Sequence, residues 1–470
     1  MARNTDSPKH LAPGTGQPYL SPMRSRAQRL ADGRVLRDTV PRRSHAVWNR
    51  PAKRRDPIAI LKESNRDRLA ELVPIRYGRM LRSPFTFLRG SAGLMAHDLA
   101  TTPATGIRVQ ACGDCHLLNF GLFATPERHL IFDINDFDET LPAPWEWDVK
   151  RLAVSFAVAA RDNHLSDAQA RAAAVECVRA YRLRLRACSE MSPLDVWYDH
   201  LDAEAIVEMA PTTKIRKARE QLVAQAQERI GDYLYPKISS EIGGRRRLID
   251  QPPLIFHLFE ERNLDEVLRE AMTAYRNSLP DERRVLFDRY RLEDMAIKTV
   301  GIGSVGTRCF VGLFFSAENH PLLLQFKEAC ASVLEPYAGK SAYANHGQRV
   351  VTGQRLMQSA SDIFLGWTEG RAGRHFYARQ LRDMKLSAPV EGATATQMRL
   401  YAQLCGRTLA RAHAKSGDAA LISGYLGKSG AFDEAVGDFA LAYTDQTARD
   451  HAALVAAVRS GRVKALVEES

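Results

Sequence analysis

The sequence predicts an α+β protein of two lobes: a helix-rich part first, a β-rich part at about 290–385, and helices to the C-terminus. Three observations predict it. Apolar residues recur at helical spacing from Pro57 onward. After Asp294 the period changes to short apolar runs of strand length. Helical periodicity returns after Met398 and holds to the end.

Composition sets the frame. The chain has 470 residues, 45% hydrophobic and 26% charged, which fits a soluble globular protein with a large core. The longest apolar run near the middle, Leu152–Ala160, is far short of the ~20 residues that span a bilayer, so no membrane partner is expected. The net charge is +11, but residues 1–56 hold 13 Lys/Arg against 4 acids, so the remainder is near +2. The folded body is therefore not expected to bind nucleic acid, and any such contact would run through the tail. Residues 1–56 are rich in Pro, Ser, Arg and Gly without periodicity, and read as a disordered basic tail. They lack the apolar core of a secretory signal. Seven scattered cysteines, an odd number, point to reduced thiols in a cytoplasm.

Residues 57–290 read as the helix-rich lobe. Ile58, Leu61, Leu69, Leu72, Val73 and Ile75 follow helical spacing, and Leu94, Met95 and Leu99 mark a second piece. A short strand at Gly106–Ala111 follows. Asn119–Phe123 and His129–Phe132 read as two strands joined by the polar turn Ala124–Arg128. Pro142 and Pro144 force an extended link. A helix starts near Trp145, and Ser166 with Gln169 forms a capping box that opens a long helix through Tyr181 and Leu185. Residues 190–250 are charged and partly helical, and Gln251–Pro253 is a break. A helix at about Leu264–Leu279 stops at Pro280.

Residues 291–385 read as the β-rich, nucleotide-binding lobe. Its strands are Met295–Val300, Cys309–Phe315, Leu322–Lys327, Ile363–Trp367 and His375–Gln380, with a helix at about Arg349–Ala360. Residues 386–470 supply C-terminal helices that complete the helical lobe.

Three groups of residues carry chemistry. Asp114 precedes Asn119 by five positions, between a strand and a hairpin. Kinase catalytic loops space the Asp near the acceptor hydroxyl and the magnesium-binding Asn in this way. Asp133, Asp136, Asp138 and Glu139 crowd the end of the hairpin, and carboxylates that close need a cation to offset them. Asp136 or Asp133 is the expected magnesium ligand. Third, Gly301-Ile302-Gly303-Ser304-Val305-Gly306 is a full G-x-G-x-x-G followed by a strand rather than a helix. That arrangement suits a kinase-type loop whose backbone N–H groups cover phosphates. Lys327 on the third strand suits the α/β-phosphates, with Glu335 or Glu328 as its partner. Cys112 and Cys115 form a lone C-x-x-C, a weak redox or zinc signal. His413 reads as a packed structural histidine.

These residues bear a family likeness. Pro74-Ile75-Arg76-Tyr77-Gly78-Arg79-Met80, Cys112-Gly113-Asp114, Phe132–Glu139, Pro144–Asp148, Gly353-Gln354-Arg355, Arg379–Lys385 and Ala412–Asp418 resemble the bacterial domain-of-unknown-function family numbered 2252. The resemblance runs from about residue 45 to the end and implies no activity. More distantly, Gly113-Asp114-x-His116-x-x-Asn119 is similar to the catalytic loop of aminoglycoside and choline phosphotransferases. Trp147-Asp148 sits where those enzymes begin an Asp-Leu-Ala helix. Cys112 replaces their usual His, and here the glycine loop and Lys327 follow the catalytic segment. A circular permutation accounts for that order.

The expected function is an ATP- and Mg-dependent phosphotransferase of protein-kinase-like, permuted fold. Asp114 is its expected catalytic residue. Gly301, Gly303, Ser304, Gly306 and Lys327 are expected to hold the nucleotide, and Asn119 with Asp136 or Asp133 the metal. The acceptor, a small molecule or a protein, is not specified by the sequence. An inert kinase-like scaffold and AMP transfer on the same fold are the alternatives.

Overall fold

A computed structural model describes residues 23–228, 231–243, 245–252, 254–257, 264–298, 302–303, 305–381 and 384–468. Gly301 and Ser304 lie outside the described residues. The chain is a mixed α+β protein with several antiparallel sheets.

The helical core forms around Trp145–Asp162. Every residue from Trp145 to Ala160 is buried, including Glu146, Asp148, Lys150 and Arg151. A helix enclosed on all sides has no polar face to give to water, so these charges must find partners inside. Glu146 accepts from Thr105 N at 2.7 Å, and Lys150 Nζ donates to Thr102 Oγ1 at 2.9 Å. The helices Asp167–Cys188, Ala395–Ser416 and Ala431–Arg459 enclose it. Ser166 with Gln169 and Thr394 with Gln397 form capping boxes at the first two.

Four strands precede the central helix: β1 (Arg108–Ala111), β2 (Phe120–Ala124), β3 (Leu130–Ile134) and β4 (Leu141–Pro144). The hairpin β2–β3 forms as its turn predicts, with Gly121 opposite Asp133. The proline link is itself a strand, because β4 pairs antiparallel with β1.

β5 (Ser239–Ile242) and β6 (Arg245–Leu248) form a separate hairpin. β7 (Ile255–Phe256), β8 (Tyr290–Lys298), β9 (Cys309–Ser316), β10 (Pro321–Ala329), β11 (Gly366–Glu369) and β12 (His375–Gln380) make one antiparallel sheet in the order β11-β12-β10-β9-β8-β7. The β-rich part thus begins before residue 291, since β7 belongs to it and the helix Leu264–Ser278 packs on β11. β13 (Leu386–Ser387) returns to the helical part and pairs with β2.

Strand parity decides what this sheet offers the rest of the molecule. Successive side chains point to opposite faces. Leu324 and Phe326 pack with Tyr275 and Phe314 on one face. Gln325 and Lys327 therefore share the other face, opposite Arg379 and Tyr377 on β12.

The N-terminal tail requires correction from residue 23 on. Arg26–Thr39 is a helix with a Ser25–Gln28 capping box, packed on Ala419–Leu426. Arg37 Nε donates to Tyr425 O at 2.8 Å and Arg42 Nη1 to Leu426 O at 2.7 Å. These arginines satisfy the carbonyls a helix leaves unpaired at its C-terminus. Counting them as solvated charge hid that role. Residues 1–22 lie outside the described residues.

Candidate functional site

The site is built on a turn held from beneath. After β1 the chain turns at Cys112 and Gly113, where Asp148 accepts both backbone N–H groups, at 2.7 and 3.0 Å. Asp148 is buried and lies 3.3 Å from His413 Nε2, while His413 Nδ1 meets the Tyr181 hydroxyl at 2.9 Å. His413 is indeed enclosed. Its helix, late in sequence, packs beside β1. Gly113 has φ +81°, and a Cβ there would lie 2.5 Å from Glu139 O. The turn requires glycine on both counts.

The turn presents Asp114. Its Oδ1 accepts from Arg151 Nε at 2.8 Å and is ion-paired with Nη2 of the same guanidinium. Oδ2 faces Gly303, where a Cβ would stand 4.0 Å from it and 3.5 Å from Arg89 O. Asn119 Nδ2 donates to Asp114 O at 2.7 Å, which leaves the Asn119 amide oxygen for other partners. Asn135 N donates to Asn119 O at 2.7 Å, extending the hairpin and bringing Asp136 alongside.

Asp136 and Asp138 meet a cationic wall from the sheet. Lys327 Nζ lies 3.8 Å from Asp136 Oδ2 and is ion-paired with Asp138 Oδ2. The Tyr377 hydroxyl donates to Asp138 Oδ1 at 2.7 Å. Arg379 Nη1 and Lys385 Nζ donate to Asn135 O at 3.0 and 3.4 Å. Desolvation works to raise the Asp136 pKa, but Lys327, Arg379 and Lys385 outweigh it and hold the carboxyl at about 2. Desolvation works against the Lys327 charge, and Asp136 with Asp138 outweighs it, so the ammonium is strongly favoured. Burial and the neighbouring Arg379 push Lys385 down to about 7.

A cavity of about 300 Å³ opens in front of these groups. Its lining includes the acidic and polar groups Asp114, His116, Asn119, Asp136, Asp138, Glu139 and Glu328, the backbone at Gly303, and the cations Arg68, Arg76 and Arg89. Burial pushes His116 down to about 4, so its ring is neutral at pH 7. Desolvation pushes Glu139 up to about 7, although its Oε2 accepts from Val333 N at 2.7 Å.

The expected site residues divide accordingly. Asp114, Asn119, Asp136 and Gly303 line one cavity. Lys327 stands behind Asp136 and Asp138 and is 3% exposed. Gly306 packs against Arg68, whose Nη1 donates to Val305 O at 2.6 Å. Asp133 is separate. It is fully buried in β3, bound by Arg411 Nη2 at 2.6 Å and by Ser359 N at 2.8 Å. Of the two candidate metal carboxylates, Asp136 lines the cavity and Asp133 ties β3 to the helix Ala395–Ser416. The partner expected for Lys327 also changes: Glu328 pairs with Arg308 and Arg374, and Glu335 lies 4.0 Å from His346.

Cys112 and Cys115 lie within 4.8 Å of each other and of Asp148, a grouping of metal-ligand type. Asp148 already serves two backbone N–H groups. Burial pushes both thiols up, Cys115 to about 11, away from the thiolate that redox chemistry or zinc requires.

Sequence reading missed Asp148, Arg151, Arg379 and Lys385 as site groups. Asp148 and Arg151 carried a signal: they are charges in an otherwise apolar helix, which stay buried only with partners.

The family model DUF2252, described as an uncharacterized protein conserved in bacteria, matches residues 68–457. No curated protein and no solved structure matches the chain. A match over most of the length places this chain in the bacterial DUF2252 family.

Proposed function

We propose that this chain is a kinase-like phosphotransferase that uses ATP and magnesium. One observation carries the reading: Lys327 of the sheet pairs with Asp136 and Asp138 of the hairpin segment, beside the cavity that Asp114 and Asn119 line. The donor set fits the metal, since the Asn119 amide oxygen and the Asp136 carboxylate are hard oxygen ligands. Magnesium, when bound, offsets the charge of the phosphates.

The chain's own residues would then act by position and charge. Asp114 would orient the acceptor hydroxyl, with Arg151 fixing the carboxylate. Gly303 would let the backbone approach the phosphates. Lys327, Arg379 and Lys385 would balance negative charge that the carboxylates alone repel. The test is calorimetric titration of the full chain with ATP and MgCl2, paired with an ATP-turnover assay. Binding of Mg-ATP that Asp136→Ala abolishes supports the reading. No binding by the native chain overturns it.

A second reading rests on the same Arg151. Two nitrogens of Arg151 already occupy Asp114 Oδ1, which leaves that oxygen less open to an acceptor hydroxyl and favours an inert nucleotide-binding scaffold. ATP turnover that Asp114→Asn abolishes decides against it. The mass of the product, a phosphate or an AMP adduct, separates phosphoryl from AMP transfer.

A further inference from the structure

A second cavity, of about 400 Å³, adjoins the segment that follows Asp138. Four cations line it: Arg108, Lys340, Arg349 and Lys415. None of the described residues that line it is acidic. Like charges gathered on one concave wall repel one another, and they focus an attractive field on anions.

Among the described residues, the hydrogen bonds of Arg108, Arg349 and Lys415 go to carbonyl oxygens rather than carboxylates, although Glu139 and Glu335 lie near enough to Arg349, and Asp133 to Lys415, to favour their charges. Arg108 Nη2 donates to the carbonyls of Pro142 and Ala338, and its Nε is buried without a partner. Arg349 is 2% exposed, and among the described residues it donates to the carbonyl oxygens of Thr140, Asp138 and Cys330 while its Nε is buried without a hydrogen-bond partner. Lys415 Nζ donates to Gln358 O and stands 4.2 Å above the Trp197 ring. Carbonyls and a ring orient a cation without neutralising it. Leu141, Pro142 and Leu356 add an apolar wall, and Tyr343 an aromatic one. The volume falls in the ~300–1,000 Å³ range of small-molecule sites, well beyond a bare ion.

We propose that this cavity binds a phosphate-bearing small molecule and that Arg349 links it to the cleft. Arg349 Nη1 donates to Thr140 O at 2.6 Å, and Nη2 to Asp138 O and Cys330 O at 2.8 Å each. Asp138 and Cys330 both line the first cavity. A ligand drawing on the Arg349 guanidinium therefore acts on the backbone that presents Asp138. The inference stands apart from the proposed transfer chemistry.

The test is calorimetric titration of the full chain with inorganic phosphate and with phenyl phosphate, at ionic strength matched by chloride. Saturable binding is expected, with phenyl phosphate the tighter probe if the site holds a phosphorylated body and phosphate equal to it if the ion alone is bound. Lys340→Ala and Lys415→Gln should each weaken binding roughly tenfold, the usual worth of a charge-assisted hydrogen bond. Asp136→Ala should leave it unchanged. No saturable binding, unchanged affinity in both lysine variants, or loss only in Asp136→Ala would each overturn the site. Hydrogen exchange over residues 136–141 should change on saturation with phenyl phosphate. Unaltered exchange there overturns the link through Arg349.

Discussion

Lys327 Nζ stands 3.8 Å from Asp136 Oδ2, although about 190 positions separate the two in sequence. The sheet face chosen by strand parity and the open end of the β2–β3 hairpin meet at this pair. Lys327 is nearly buried, while Asp136 and Asp138 border the cavity, at 34% and 29% exposure. Removing the ammonium takes from two neighbouring carboxylates the cation they share, leaving Arg379 and Lys385 as the remaining positive charges acting on Asp136. A fully buried pair would lose about 3–5 kcal/mol on such a change. Solvent at the cavity screens part of that, so Lys327→Met should lose roughly 2 kcal/mol in urea unfolding at pH 7. Asp136 adds a pH signature. Its folded pKa, about 2, lies below the ordinary 3.8, so its contribution is complete above pH 3.8 and fades as pH falls toward 2. A variant as stable as the native chain at pH 7 would show that the pair contributes nothing.

Glu139 behaves in the opposite sense. Desolvation holds its folded pKa near 7, against an ordinary 4.5. Between these values the folded chain binds the extra proton, so this group makes stability fall as pH rises from 4.5 to 7, with no further change above. Glu139→Gln should flatten that part of the profile. Urea midpoints at pH 5, 6, 7 and 8 measure it, and identical slopes in the two proteins would refute the assignment.

Local patterns were legible in the sequence where one period dominated. The β2–β3 hairpin, the strands β8–β10 and β12, and the Ser166 capping box all follow from turn residues, alternation or end signals. Asp133 and Asp136 show the limit. Both end the same strand, and only the arrival of Arg411 from a distant helix commits Asp133 to a structural ion pair. The partner of Lys327 was obscure for the same reason: near neighbours Glu328 and Glu335 were visible, whereas Asp138 follows the β2–β3 hairpin, far back in the sequence. β7 was missed because a two-residue strand carries no period.

Asp148 is predicted to set the geometry of the Asp114 turn without facing the cavity. Its two oxygens accept from Cys112 N and Gly113 N, and both donors would be stranded in the core without it. An unsatisfied buried N–H costs about 1–3 kcal/mol. Asp148→Ala should therefore destabilise by roughly 2–4 kcal/mol, whereas Asp148→Asn, which keeps one acceptor oxygen, should lose less. Hydrogen exchange at residues 112–115 should rise in proportion. Equal stability in both variants would remove the role.

Arg54 tests whether residues read from composition as a solvated tail belong to the core. Its guanidinium binds Asp98 through Nε and Nη2, at 2.8 and 2.7 Å, and Asp450 through Nη1 and Nη2, at 2.8 and 2.7 Å. The side chain is 1% exposed. The Tyr443 hydroxyl also donates to Asp98, at 2.7 Å, and Gln446 Nε2 to Asp450, at 2.9 Å, so each carboxylate keeps one neutral donor if Arg54 is removed. One neutral donor does not balance a buried charge. Arg54→Met should therefore lose about 3–5 kcal/mol at pH 7 in urea unfolding. The double variant Arg54→Met, Asp98→Asn should regain part of that loss, because it removes one stranded charge while keeping the volume. A single variant within about 0.5 kcal/mol of the native chain, as expected for an ordinary surface position, would return Arg54 to the tail.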